Sequence, residues 1–299
     1  MEQTTTANGI ELCYETFGDA SHPAVLFVMG LGGQMIAWPQ PYMDAFSAAG
    51  YYVIRFDNRD VGLSQKFAEA GAPDFDALVA DLMAGKPAAT AYKLSDMAAD
   101  AVGLLDQLGV QRAHVIGVSM GGMIAQQMAI DSGERMLSMI SIMSSTGDPS
   151  LPPPTAEAMA VLTLPPPPPE DRAALVEHLM NNRRAVGGDG FVDDAASRAQ
   201  TERVLERQFY PVGTARQRAA VMASGARTAA LAQLDLPTLV IHGDKDPLVP
   251  LAAGEHTAAT IPGARLEIVA GMGHAQFPSY QPKMIELMLG HVQAQTSRG

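Results

Sequence analysis

The chain has 299 residues, 47% apolar and 17% charged, with 20 Lys and Arg against 32 Asp and Glu for a formal charge of −12. That apolar content excludes a disordered chain, and a charge-poor acidic surface argues against nucleic acid or an anionic membrane as the main partner. The start, 1–8, is polar with no basic segment leading into an apolar one, and apolar runs of 5–7 residues fall far short of the ~18 needed for a membrane span, so neither signal peptide nor span is expected and the cytoplasm is the expected compartment.

Residues 10–15 alternate apolar and polar, which predicts an antiparallel edge strand. Cys13 within them is the only cysteine, so an intrachain disulfide and cysteine-based zinc sites are excluded. The runs 24–29, 52–56, 115–118, 139–143, 238–241 and 266–269 are almost wholly apolar, as strands buried on both faces of a parallel sheet would be. Between them, 66–91 reads as a loop and helix. Leu94, Met97, Ala98, Ala101, Leu105 and Leu108 recur at helical spacing, with Ser95 the expected N-cap and Gly109 the expected terminator. Residues 120–130 read as a helix directly after a strand, and 284–292 as the closing helix. Strands alternating with helices predict a doubly wound α/β sheet.

The alternation stops after Ser144. Nine of the 21 prolines lie within 149–169, including the runs 152–154 and 165–169. Proline runs are stiff, extended connectors. Helical stretches follow at 171–184 and 195–209, with Ala174, Leu175, Leu179, Val204 and Leu205 spaced for packing. The expected division is an α/β core of 1–144 and 233–299, and a helical cap inserted at 145–232. The proline runs should frame the first leg of that cap.

The strongest chemical signal is Gly117-Val118-Ser119-Met120-Gly121-Gly122, between a strand and a helix. A serine on such a tight turn projects its hydroxyl at a helix N-terminus, where developing negative charge is favoured. A serine hydroxyl needs a base. Of the seven histidines, His114 and His242 sit in strand runs, His22 precedes a strand and His178 lies in the insertion. His274 stands in the Gly-rich loop after the last strand, where active sites of open α/β sheets gather. The histidine needs an acid to fix its tautomer. Asp246, before Pro247, is the expected acid, with Asp244 and Asp148 as rivals. An oxyanion hole needs two backbone amides; Met120, after the serine, and Leu31, in the loop Met29-Gly30-Leu31-Gly32-Gly33, are the expected donors. Position 35 is Met, so no dinucleotide fingerprint forms, and neither a Walker loop nor an H-E-x-x-H pattern occurs. The 18 methionines include Met29, Met120, Met123 and Met143 near the expected site; most are expected core filler.

With these motifs and Asp57-Asn58-Arg59-Asp60-Val61-Gly62-Leu63-Ser64 in place, the chain resembles an α/β-hydrolase-fold serine hydrolase over nearly its whole length. Within that fold it is most similar to the aclacinomycin methylesterase group of carboxylesterases, which likewise carry Met-Gly where most relatives have His-Gly. The resemblance implies a sheet of about eight strands, a helical cap and no cofactor or metal. It assigns Ser119, Asp246 and His274 as a triad and the Leu31 and Met120 amides as the oxyanion hole, and makes 57–64 a structural turn beside the site. The expected activity is hydrolysis of a small-molecule carboxylic ester. A C–C bond hydrolase or a cofactor-free perhydrolase would use the same triad. A ligand-binding receptor on this fold is the non-enzymatic alternative. Acyl and alcohol specificity and oligomeric state are not written in the pattern.

Overall fold

The computed structural model describes residues 1–192 and 194–297. Its strands are β1 (Gln3–Ala7), β2 (Ile10–Phe17), β3 (Ala24–Val28), β4 (Tyr52–Phe56), β5 (Ala113–Val118), β6 (Met136–Ile142), β7 (Thr238–Gly243) and β8 (Arg265–Val269). Its helices are α1 (Gln40–Ala48), α2 (Phe75–Met83), α3 (Leu94–Gln107), α4 (Met120–Ser132), α5 (Ala156–Thr163), α6 (Arg172–Val186), α7 (Ala195–Arg207), α8 (Pro211–Ser224), α9 (Thr228–Leu231), α10 (Leu251–Thr260) and α11 (Gln281–Thr296). One eight-stranded sheet runs β1-β2-β4-β3-β5-β6-β7-β8. From β4 to β8 all pairings are parallel; β2 pairs antiparallel with both β1 and β4.

Two local expectations are corrected. The strand at 10–15 is antiparallel but not the edge, because Gln3–Ala7 pairs outside it. Threonines at 4–6 suit a half-solvated edge strand but leave no apolar pattern to read. The N-cap of α3 is Lys93, not Ser95: the Asp96 carboxylate accepts the Lys93 amide at 2.7 Å. Gly109 does follow the end of α3, with φ of 68°.

The apolar strands are buried on both faces, as a parallel sheet requires. Leu26 and Val28 of β3 meet Leu94, Leu104, Ile124 and Met128 of α3 and α4. Val25 and Phe27 meet Trp38, Tyr42, Phe46 and the Met284 and Met288 of α11 on the other face. Each such side chain contributes roughly 1.5–3 kcal/mol by leaving water. His114 is structural, as expected: its ring bridges Ser138 at 2.8 Å and Thr296 at 2.9 Å, and burial pushes its pKa down to about 4.

The sheet order reverses between β3 and β5, which creates a switch point at their C-terminal ends. Val28 is paired with Gly117, so the segments that follow, Met29–Leu31 and Val118–Met120, emerge side by side.

Helices α5 to α9 occupy the interval between β6 and β7, and α5 lies between the two proline runs. This segment is tied to the sheet by three arginines, of which Arg216 and Arg227 are buried. Arg207 of α7 pairs with Asp57 at 2.7 Å. Arg216 of α8 grips both oxygens of Asp60, each at 2.7 Å. Arg227 joins the segment's two ends, donating to Ser145 O at 2.8 Å and, from the far side, to Gln126 of α4 at 3.1 Å. Burial pushes the Arg227 guanidinium down to about 10. The turn at 57–64 is therefore the seat on which α7 and α8 rest.

Candidate active site

Ser119 sits between β5 and α4 with φ 55° and ψ −119°, a backbone region that costs a non-glycine residue about 1–3 kcal/mol. The surroundings hold it there. Its amide donates to Ile142 O at 2.8 Å, and its carbonyl accepts from the Gly122 amide and from Ser144 Oγ at 2.9 and 2.8 Å. The flanking glycines are dictated by contact. A Cβ on Gly117 would lie 2.1 Å from Gly121 O, and one on Gly121 would lie 2.0 Å from Val28 O.

His274 follows β8 and reaches back over this turn. Its Nδ1 lies 2.7 Å from Asp246 Oδ2 and its Nε2 lies 2.9 Å from Ser119 Oγ. A carboxylate only accepts, so Nδ1 carries the proton, and the neutral ring then accepts the serine O–H at Nε2. The Asp246 side chain is fully buried and the His274 side chain is 9% exposed. The other oxygen of Asp246 accepts the Leu248 and Val249 amides at 2.9 and 2.8 Å, which locks the carboxylate in one orientation. His242 Nε2 donates to Val249 O at 2.7 Å, closing this loop from beneath; desolvation lowers its pKa, which favours the neutral ring.

The rival acids face elsewhere. Asp244 accepts the Gly271 amide at 2.6 Å and so braces the loop that carries His274. Asp148 binds Ser150 and Thr228 and lies 3.9 Å from His256. Of the three aspartates weighed from sequence, Asp246 is the one brought to His274.

Leu31 lies in a turn closed by the Gly33 amide on Gly30 O at 3.1 Å. A Cβ on Gly30 would lie 3.2 Å from that of Ser119, so this turn adjoins Ser119. The Gly32 amide is taken by Gln217 Oε1 at 2.8 Å, and the Gly33 amide by Gly30. The amides of Leu31 and Met120 donate to no group among the described residues. Met120 also begins α4, where the first amides have no partner within the helix. Met29, Met120 and Met143 are buried in the two cores, as filler would be.

Contacts from the inserted helices escaped the sequence reading. The His274 amide donates to Val186 O at 2.6 Å, Asp189 N donates to Gly271 O at 2.9 Å, and Gly188 bridges Met272. The glycines at 187, 188 and 190 were the available signal, opposite those at 271 and 273. Asn58 Nδ2 donates to Met29 O at 2.9 Å and Asp57 accepts the Met35 amide at 2.7 Å, so the 57–64 turn supports the Leu31 loop from both sides. Among the described residues, no group of three or more His, Cys, Asp or Glu is placed to hold a metal ion, and no helix is long and apolar enough to cross a membrane.

The family model described as alpha/beta hydrolase fold matches residues 23–279. The rhodomycin D methylesterases DauP of Streptomyces sp. (strain C5) and DnrP of Streptomyces peucetius are each 27% identical, over 97% of this chain and 98% of theirs. Among solved structures, a meta-cleavage product hydrolase variant from Pseudomonas fluorescens IP01 superposes with a TM-score of 0.76 at 20% identity, over 98% of this chain and 97% of that one. An esterase from Exiguobacterium antarcticum does so with 0.76 at 20%, over 98% and 100%. At these identities the two structures speak for the fold alone.

Proposed function

The chain belongs to the alpha/beta hydrolase fold family, and from that premise we propose that it is a serine carboxylic-ester hydrolase acting through an acyl-enzyme. The observation that carries this reading is the hydrogen-bonded series Ser119–His274–Asp246, at 2.9 and 2.7 Å, next to two uncommitted amides. In the proposed cycle Ser119 Oγ attacks the ester carbonyl while His274 Nε2 takes its proton. Asp246 stabilises the imidazolium through Nδ1, and the Leu31 and Met120 amides receive the oxyanion. Collapse of the tetrahedral intermediate expels the alcohol, protonated by His274. Water, activated by the same ring, then releases the acid.

Residues 145–232 are the proposed cap over a core of 1–144 and 233–299. Full-length similarity to two methylesterases supports an ester with a small alcohol, hydrolysed as a small-molecule substrate without a cofactor. The buried thiol of Cys13 suits a reducing compartment, and the cytoplasm is the proposed location.

The test is turnover of p-nitrophenyl acetate by wild type and Ser119→Ala, extended to a panel varying acyl length and alcohol size. The variant should lose turnover on every ester that the wild type hydrolyses. Hydrolysis retained in Ser119→Ala would overturn the proposal.

A further inference from the structure

One buried side chain connects the inserted helices to the Leu31 turn. Gln217 on α8 is fully buried. Its Oε1 accepts the Gly32 amide at 2.8 Å, and its Nε2 donates to Arg59 O at 2.7 Å. Two partners of opposite kind leave the carboxamide a single orientation. Arg59 is itself anchored, since its guanidinium makes two 2.7 Å bonds to Asp100 of α3. Gln217 thus links a fixed point of the core to the loop after β3.

The geometry of that loop makes the link consequential. Gly32 has φ 65° and the Gly33 amide closes onto Gly30 O, the pattern of a turn whose third residue is left-handed. Thr214 lies against the same turn: a Cβ on Gly32 would come 2.8 Å from its side chain. At its other end the turn abuts Ser119 through Gly30. Leu31 therefore hangs between one point set by the nucleophile and one set by α8.

We propose that Gln217 is a positioning residue for the oxyanion hole. By capturing the Gly32 amide it holds the turn that presents the Leu31 amide, and it leaves Leu31 rather than Gly32 to bind the developing charge. This rests on the ester-hydrolase reading above. Oxyanion donors act by being in place before the charge forms, and loss of one costs roughly 10²–10³ in kcat. A donor left in the chain but loosened should cost part of that.

Gln217→Met keeps the side-chain length and removes both hydrogen bonds; Gln217→Asn keeps the amide but falls a methylene short of Gly32. For the full chain, kcat and KM on p-nitrophenyl acetate would be measured. So would inhibition by a trifluoromethyl ketone, which forms an oxyanionic adduct with the serine, and by the product acid, which does not. The expected result is a fall in kcat of about 10–100-fold with KM nearly unchanged. Ketone affinity should weaken by the same factor as kcat/KM, while product-acid affinity stays at the wild-type value. A purely structural role would lower the melting temperature without moving the ratio of ketone to product-acid affinity, and that result overturns the proposal, as does wild-type kcat. If Gln217→Met does not fold, Gln217→Asn decides by the same criteria. Activity in the wild type with unaffected Gln217 variants refutes this inference alone. Failure of the wild type to hydrolyse any ester refutes both readings.

Discussion

Replacing Arg216 with methionine removes a guanidinium that makes two 2.7 Å bonds to Asp60, one of 2.7 Å to Gly71 O and one of 3.0 Å to the Tyr210 hydroxyl. Asp60 and Arg216 are both buried, so the variant strands a carboxylate that keeps only the Phe67 amide and Tyr92 hydroxyl. Breaking one side of a buried pair costs about 3–5 kcal/mol. In a chain of this size each kcal/mol is worth roughly 2 °C, so Tm should fall by about 6–10 °C near pH 7. The loss should also depend on pH with a definite sign. Burial alone would raise the Asp60 pKa, but the bonds from Arg216, Phe67 and Tyr92 outweigh it and hold the carboxyl below its ordinary value. Its stabilising contribution is therefore complete above the unfolded value of ~3.9 and is lost as pH falls through the lower folded value. Calorimetry of wild type and Arg216→Met from pH 7 downward should show the Tm gap narrowing, first as the stranded Asp60 of the variant takes up a proton above its ordinary range and further as the paired carboxyl of the wild type does so below about pH 4. A gap smaller than about 2 °C at pH 7, or one that stays constant into that acid range, would refute the reasoning.

Three further substitutions bear on the site. Asp246→Asn should leave the fold intact and lower kcat on p-nitrophenyl acetate by about 10⁴, because the ring loses the partner that fixes its tautomer. Asp244→Asn, which touches the loop rather than the ring, should cost about tenfold or less; the reverse ranking in steady-state kinetics would move the acid assignment. Gly188→Ala places a Cβ 2.5 Å from the Gly273 amide, at a residue whose φ is 64°. The resulting shift of the His274 loop should lower kcat by roughly 10²-fold, and unchanged kcat would show that the loop does not depend on its contact with the inserted helices.

The chemical groups were more legible than their supports. Ser119 is marked by a local strand–turn–helix pattern whose glycines answer to contacts within a few residues or with the neighbouring strand. His274 is marked by its place after the last strand. Pro247 favours Asp246 over Asp244, which stands two residues away on the same loop; the contact itself depends on where His274 arrives from β8. β1 escaped notice because its threonines show no apolar period, and α1 because its start at Pro39-Gln40 carries no polar cap and its buried Tyr42, Met43 and Phe46 lie in a short helix. The parts that hold the site together come from distant segments of the chain: Gln217 from Gly32, Arg216 from Asp60, Val186 from His274. Such pairings arise from how α6 and α8 dock on the His274 loop, the Leu31 turn and the 57–64 turn, and no period in either segment encodes them.

The central claim is that Ser119 is the nucleophile. Its most direct test is intact-mass and peptide-mapping spectrometry of the chain after exposure to a fluorophosphonate. The expected result is one covalent adduct per chain, on the peptide that holds Ser119, with esterase activity lost in proportion and no adduct on Ser119→Ala. An adduct on another residue, or full activity in a chain fully modified at Ser119, would contradict it.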